Sequence, residues 1–179
     1  MTDTFETERL ICRRFEADDL EDMFRNWASD PMIQPEYGEP VYDDIDMAAE
    51  LLERYIRGYS DPNFYRWAVI EKKSMQNIGQ IAFCRVYPEI RTAEVEYCIG
   101  QGFWGNGYAK EALSGLIEHT FNALDIDMIE AYHRTENIRS GRVLEKSMMH
   151  RTDTAERFRR EGKAPEGEVC YCIRREEYR

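Results

Sequence analysis

The sequence predicts an α+β domain, a central and mostly antiparallel mixed sheet flanked by helices. Three features of the chain point to it. Two early segments repeat apolar residues at helical spacing, three close-spaced runs between residues 65 and 99 read as strands, and a glycine-rich loop at residues 100–107 opens a strong helix.

Taken in order, Thr7–Phe15 alternates as a strand. Asp18–Ser29 places Leu20, Met23, Phe24 and Trp27 at i, i+3, i+4 and i+7, an amphipathic helix that Asp30-Pro31 ends. Residues 34–42 hold two prolines and a glycine and read as a loop. Asp43–Tyr59 is a second helix, with Ile45, Ala48, Ala49, Leu52, Tyr55 and Ile56 on its apolar stripe. Tyr65–Glu71, Ile78–Val86 and Ala93–Ile99 are strands, and the short turns at 72–77 and 88–91 make them an antiparallel meander. Tyr108–Leu124 is a helix, Met128–His133 a strand, Ile138–Met148 a short helix and Val169–Ile173 a last strand. The polar stretch 152–168 reads as loop or hairpin. The order is β-α-α-β-β-β-α-β-α-β. No repeat or linker divides the chain, so one domain over residues 1–179 is expected.

Composition narrows the function classes. With 42% hydrophobic and 12% aromatic residues the chain can build a core. Its apolar runs, such as Trp67–Ile70, are far too short to span a membrane. The acidic N-terminus has no apolar stretch of the signal-peptide kind. Five cysteines, at 12, 84, 98, 170 and 172, read as reduced thiols, so a cytoplasmic location is expected. Cys170 and Cys172 have no second pair at ligand spacing, and no metal is expected. A net charge of -11 disfavours nucleic acid as a direct ligand. The charge is uneven: residues 1–60 carry 16 acidic against 6 basic side chains, the rest 19 against 18. An acidic half can attract a cationic partner, although a solvated surface would look the same.

The segment Glu94–Ala112 reads E-V-E-Y-C-I-G-Q-G-F-W-G-N-G-Y-A-K-E-A. A strand enters a glycine loop and the loop opens a helix. Glycines let successive backbone N–H groups converge, and the free N–H groups of a helix's first turn add partial positive charge. Together they form an anion cradle suited to phosphate. Gly100, Gly102 and Gly105 also satisfy G-x-G-x-x-G. A dinucleotide fold is disfavoured because this strand alternates, carrying Glu94 and Glu96, where a buried parallel strand would be apolar throughout. A Walker loop would need G-K-[ST], which is missing here. That the glycines serve only as turn and helix start remains the alternative.

These residues resemble motif A of the GNAT superfamily of N-acetyltransferases. More narrowly, they are similar to the branch that acetylates N-terminal alanine or serine of ribosomal proteins. Its strand a-E-i-G-Y-w-i reads A-E-V-E-Y-C-I here, and its loop y-W-G-k-G-y-A-t-E-A reads F-W-G-N-G-Y-A-K-E-A. The opening T-E-R-L-I-C-R-R-F, the helix N-I-R-S-G-R-V-L-E-K and the closing R-R-E-E-Y match as well, so the resemblance covers essentially the whole chain. It implies acetyl-CoA as co-substrate, bound by Trp104, Gly105, Asn106, Gly107, Tyr108 and Ala109, with the pyrophosphate on backbone N–H groups of Gly105–Ala109. It places the pantetheine along the strand ending at Cys98 and Ile99, where that strand splays from the next, and gives Asn137 a bond to the pantetheine arm or the reaction centre. Relatives often dimerise, which leaves a homodimer open without the sequence fixing the oligomeric state.

Acetylating an amine needs a base, an oxyanion donor and a proton source for the thiolate. The base of histone-acetylating members, in A-E-I-V-F-C-A-I, falls on Glu94. Glu96 stands where the branch usually has glycine, and alternation puts it on the same face unless a bulge intervenes; a neighbouring carboxylate would raise one of the two pKa values. Glu94, Glu96 and solvent all remain candidates. The N–H of Cys98 matches the oxyanion donor. The usual acid, a tyrosine, is replaced by Leu144, and the resemblance gives the thiolate donor to Ser140, whose alternative is a local helix cap. The branch's k-l-G-F is S-M-M here, at 147–149. The expected activity is acetyl transfer to a primary amine of a cationic acceptor, either a small molecule or a protein N-terminus. An acyl-CoA-binding relative without efficient catalysis, or a transferase for another acyl chain, are the alternatives.

Overall fold

The structure, a computed structural model, describes residues 2–178, with the Tyr37 side chain excepted. Met1 and Arg179, the ends of the expected 1–179 domain, lie outside the described residues. The strands are β1 (Phe5–Glu6), β2 (Leu10–Arg13), β3 (Tyr65–Glu71), β4 (Asn77–Tyr87), β5 (Thr92–Ile99), β6 (Met128–Arg134), β7 (His150–Thr152) and β8 (Glu168–Arg174). They form a mixed sheet of order β1-β2-β3-β4-β5-β6-β8-β7. The helices are α1 (Leu20–Met23), α2 (Gln34–Tyr37), α3 (Ile45–Gly58), α4 (Tyr108–Ala123), α5 (Ile138–Glu145) and α6 (Glu156–Glu161). Among the described residues no helix is long and apolar enough to cross a membrane.

The chain folds as two compact units, one made of the chain up to Phe83 with Glu96–Gly115, the other of Cys84–Val95 with Leu116 onward. Strand β5 and helix α4 run from one into the other. In the first unit β2 pairs antiparallel with β3, and β3 with β4. Its core packs Phe15, Met23, Trp27, Leu51, Leu52, Tyr55, Ala68, Ile70 and Cys98. The buried Trp27 indole donates to the Asn77 side chain at 3.2 Å, so this polar pair enters the core satisfied. Gly79 is demanded by close approach: a Cβ there would lie 2.2 Å from the Cys98 carbonyl oxygen. In the second unit β5 runs parallel to β6 over Thr92–Glu94, and β8 pairs antiparallel with both β6 and β7. Ala155, Phe158 and Cys170 form a small core there, with Tyr132 packed against it.

Several elements depart from the expected pattern. The strand expected over Thr7–Phe15 shortens to Leu10–Arg13 and a short strand, Phe5–Glu6, precedes it, because Thr7 turns the chain: its N–H donates to the Leu10 carbonyl and its hydroxyl accepts from the Leu10 N–H. The helix after Asp18 widens to π geometry over Phe24–Ala28. The stretch read as loop at 34–42 contains α2, with Pro35 in its first turn and Gly38 as its left-handed C-cap at φ 78°. Residues taken as loop breakers thus punctuate a short helix. The helix predicted over 138–148 stops at Glu145, where the Ser147 hydroxyl donates to the Leu144 carbonyl. The polar stretch 152–168 holds α6, whose charged sequence buries only Phe158 and so carries no apolar period.

Candidate active site

The glycine loop belongs to the first unit. Gly100 donates to the Ile78 carbonyl at 2.7 Å and packs so close to Asn26 that a Cβ would lie 2.5 Å from its carbonyl oxygen. The Trp104 indole donates to the Ile99 carbonyl at 2.6 Å, and its ring packs on the core, which anchors the loop. Gly105 and Gly107 sit at φ 81° and 82°, the left-handed region that costs a side chain strain. Between them the Asn106 side chain donates to the Phe103 and Trp104 carbonyls at 3.1 and 3.4 Å. Open space surrounds the Cβ direction of Gly105. Tyr108 and Ala109 then start α4, whose first-turn N–H groups have no partner within the helix. Two left-handed glycines beside a helix start leave backbone donors open to a phosphate.

One neighbour of this loop carried no signal in the sequence pattern. Arg9, in the turn between β1 and β2, reaches Glu111 in the first turn of α4: Nε and Nη2 lie 2.7 and 2.6 Å from Oε2. The Arg9 N–H and the Thr7 hydroxyl donate to Oε1 at 2.8 and 2.6 Å. Burial works against the Glu111 charge, but these donors outweigh it and hold its carboxyl below the usual range. Arg9 Nη1 also donates to the Asn106 carbonyl at 3.0 Å, and the guanidinium lies 4.7 Å from the Tyr108 ring centre. The Tyr108 hydroxyl donates to Glu71.

Further along β5 stand the carboxylates. Glu96 accepts from Arg66 Nη2 at 2.7 Å, and Arg66 lies 4.3 Å over the Tyr55 ring. Cys98 is buried, and burial pushes its thiol up to about 12, which suits packing rather than nucleophilic attack. In the second unit Glu94 is only 1% exposed. Its Oε1 accepts from Arg85 at 2.8 Å and from the Cys84 thiol at 3.3 Å, while its Oε2 is buried with no hydrogen-bond partner. Each expected carboxylate therefore has its own arginine. The ladder neighbour of Glu94 is Glu130, equally buried, whose Oε2 accepts the Glu156 N–H at 2.7 Å. Burial raises the Glu130 carboxyl, with Arg159 pulling the other way from 3.7 Å. Glu130 and α6 were not foreseen around Glu94, because a lone acid in a strand and a charged helix leave no periodic trace.

Asn137 caps α5, its Oδ1 accepting the Ser140 N–H at 3.0 Å. Ser140 stands half-buried in the first turn. Gly141 lets α5 approach β6, since a Cβ there would lie 2.8 Å from the His133 ring. Leu144 is fully buried and has no proton to give.

A protein-family model described as "Acetyltransferase (GNAT) domain" matches residues 9–150, which takes in the loop, both carboxylates and the Asn137–Ser140 cap. An uncharacterized N-acetyltransferase, p20, of Bacillus licheniformis is 30% identical over 142 residues, 79% of each chain. Among solved structures, a GNAT-family acetyltransferase from Bacillus anthracis superposes with TM-score 0.78 at 23% identity, over 97% of this chain and 99% of that one. The ribosomal-protein-S5-alanine acetyltransferase from Vibrio fischeri superposes with TM-score 0.77 at 16% identity, over 99% of each. These two likenesses show the fold, and the family match adds the chemistry: the chain belongs to the GNAT family of N-acetyltransferases.

Proposed function

We propose that the protein transfers the acetyl group of acetyl-CoA to a primary amine of a cationic acceptor, a basic protein N-terminus, a polyamine or an aminoglycoside. The observation that carries the reading is the loop of Gly105 and Gly107, both left-handed and the first open where a Cβ would stand, at the start of α4. That cradle fits a pyrophosphate, whose charge would meet the amides of Gly105–Ala109 and the helix N-terminus. Acetyl-CoA supplies the thioester. Trp104 holds the loop, the pantetheine lies along Cys98 and Ile99, and Asn137 orients its arm. Glu94 is the first candidate to take the proton from the attacking amine, through water because its carboxyl is buried, with Glu96 the second candidate. The Cys98 N–H faces the developing oxyanion, and Ser140 assists the departing thiolate.

The acceptor class rests on charge. The surplus of acidic over basic side chains lies in residues 1–60, where Asp43, Asp44 and Asp46 are exposed. Asp44 also caps α3, so part of this charge serves the helix. An α-amine, with a pKa of ~7.7–8.0 against ~10.4 for lysine, is the easier nucleophile at neutral pH. Thiol release from acetyl-CoA across ribosomal-protein N-terminal peptides, polyamines and aminoglycosides tests the reading. Turnover should be highest with a cationic amine and should fall with salt. CoA binding without turnover on any amine would instead mark an acyl-CoA-binding protein, the alternative that Leu144 in the acid position favours.

A further inference from the structure

Resting on the acetyl-CoA reading of the loop, we propose that Arg9 is a positioning residue. It locks the Asn106–Gly107 peptide so that the Gly107 N–H is presented to the CoA pyrophosphate. The argument is geometric. A trans peptide carries its C=O and N–H on opposite sides. Arg9 Nη1 holds the Asn106 carbonyl at 3.0 Å, so the Gly107 N–H of the same peptide faces away from Arg9. Arg9 also stands on the Cβ side of Gly107, with Nη2 3.7 Å from where a Cβ would be. The guanidinium therefore stands behind the peptide and the donor in front of it.

What fixes Arg9 is equally specific. Glu111 takes Nε and Nη2 at 2.7 and 2.6 Å, and the Tyr108 ring lies 4.7 Å from the guanidinium carbon. Glu111 is in turn held by the Thr7 hydroxyl and the Arg9 N–H. The turn between β1 and β2 is thus clasped to the first turn of α4, with the loop peptide caught between. Because Glu111 neutralises Arg9 at contact distance, the pair acts through orientation rather than through net charge on the phosphate. Left-handed glycines on both sides of Asn106 leave this peptide free to rotate without such a clasp.

Calorimetric titration with CoA and with pantetheine, which lacks the pyrophosphate, tests the assignment, together with the amide resonance of Gly107. Arg9→Ala should weaken CoA about tenfold, the worth of one well-placed donor to a charged group, and leave pantetheine unchanged. In the Arg9→Ala/Glu111→Gln double variant, which removes both charges of the pair, the loss should be the same at about 0.05 and about 0.5 M salt, because the net charge beside the loop is unchanged. The CoA-induced shift of the Gly107 amide should shrink in step. Arg9→Lys should not rescue, since a point charge cannot span Glu111 and the Asn106 carbonyl together. Lys163→Ala, an exposed change, is the control. Glu111→Gln loosens Arg9 without removing it but also uncovers its charge, so it is read at about 0.5 M salt, where it should give a smaller loss of the same kind; it serves where Arg9→Ala fails to fold. Folded Arg9 and Glu111 variants with wild-type CoA affinity and a wild-type Gly107 shift would overturn the positioning role. A loss in the double variant confined to low salt would also overturn it and make Arg9 a direct phosphate contact. Failure of the wild-type protein to bind CoA would overturn the acetyl-CoA reading itself.

Discussion

The glycine loop and the Glu94 neighbourhood solve opposite problems. Around Gly105 and Gly107 the groups proposed to work are backbone amides, in a loop whose carbonyls accept from Asn106 and Arg9. Around Glu94 the group proposed to work is a buried carboxyl, held by Arg85 beside a second buried acid, Glu130, which accepts an N–H from a helix. Dipoles fixed in place need little desolvation, whereas a buried carboxylate must be compensated at every oxygen or left deliberately open. Oε2 of Glu94 is a buried oxygen without a hydrogen-bond partner. In the proposed function the first region is assigned to holding CoA and the second to proton handling, and each can be tested alone.

The sharpest break between them should come from Glu94→Gln. It keeps shape and removes the proton acceptor, so turnover should fall about 10²–10⁴-fold while CoA affinity stays at the wild-type value. Steady-state kinetics with calorimetry on the same sample decides it. Near-native turnover across pH would move the role to Glu96 or solvent.

The same contrast governs what the sequence discloses. The loop was legible because its signal is local: a strand, glycines at fixed spacing and an immediate helix, all within Glu94–Ala112. The strands Tyr65–Glu71 and Thr92–Ile99 were legible for the same reason, as period and turn chemistry agree there. Arg9 was not, since its partner Glu111 lies 102 residues away. Nor was α6, where E-R-F-R-R-E buries one residue and its N-terminus is fixed by Glu130 from another strand. Local period encodes the faces of elements; long-range ion pairs leave no mark in it. Glu94 was found through the family's motif, but its burial and its arginine came only from the fold.

A smaller effect separates the regions by pH. Glu111 sits below its ordinary pKa, so its contribution is fully present above the unfolded value of ~4.3 and is lost as pH falls through the folded value. Glu130 is raised, so its contribution has the opposite sign: present below the unfolded value and lost as pH rises through the folded one. In urea unfolding, Glu111→Gln should cost about 1 kcal/mol near neutrality and progressively less toward acid. Glu130→Gln should show the reverse trend. Parallel curves for the two variants would remove the electrostatic distinction between the regions.

The central claim is that the loop of Gly105 and Gly107 holds the CoA phosphates, and one titration tests it most directly. At φ 82°, Gly107→Val must either strain the backbone or turn the peptide, and both displace its N–H. Calorimetry with CoA should show binding to the wild-type protein and a loss of about 100-fold in the valine variant, with the fold intact by circular dichroism. A folded valine variant that binds CoA as the wild type does would contradict the claim and leave the glycines as a turn and a helix start.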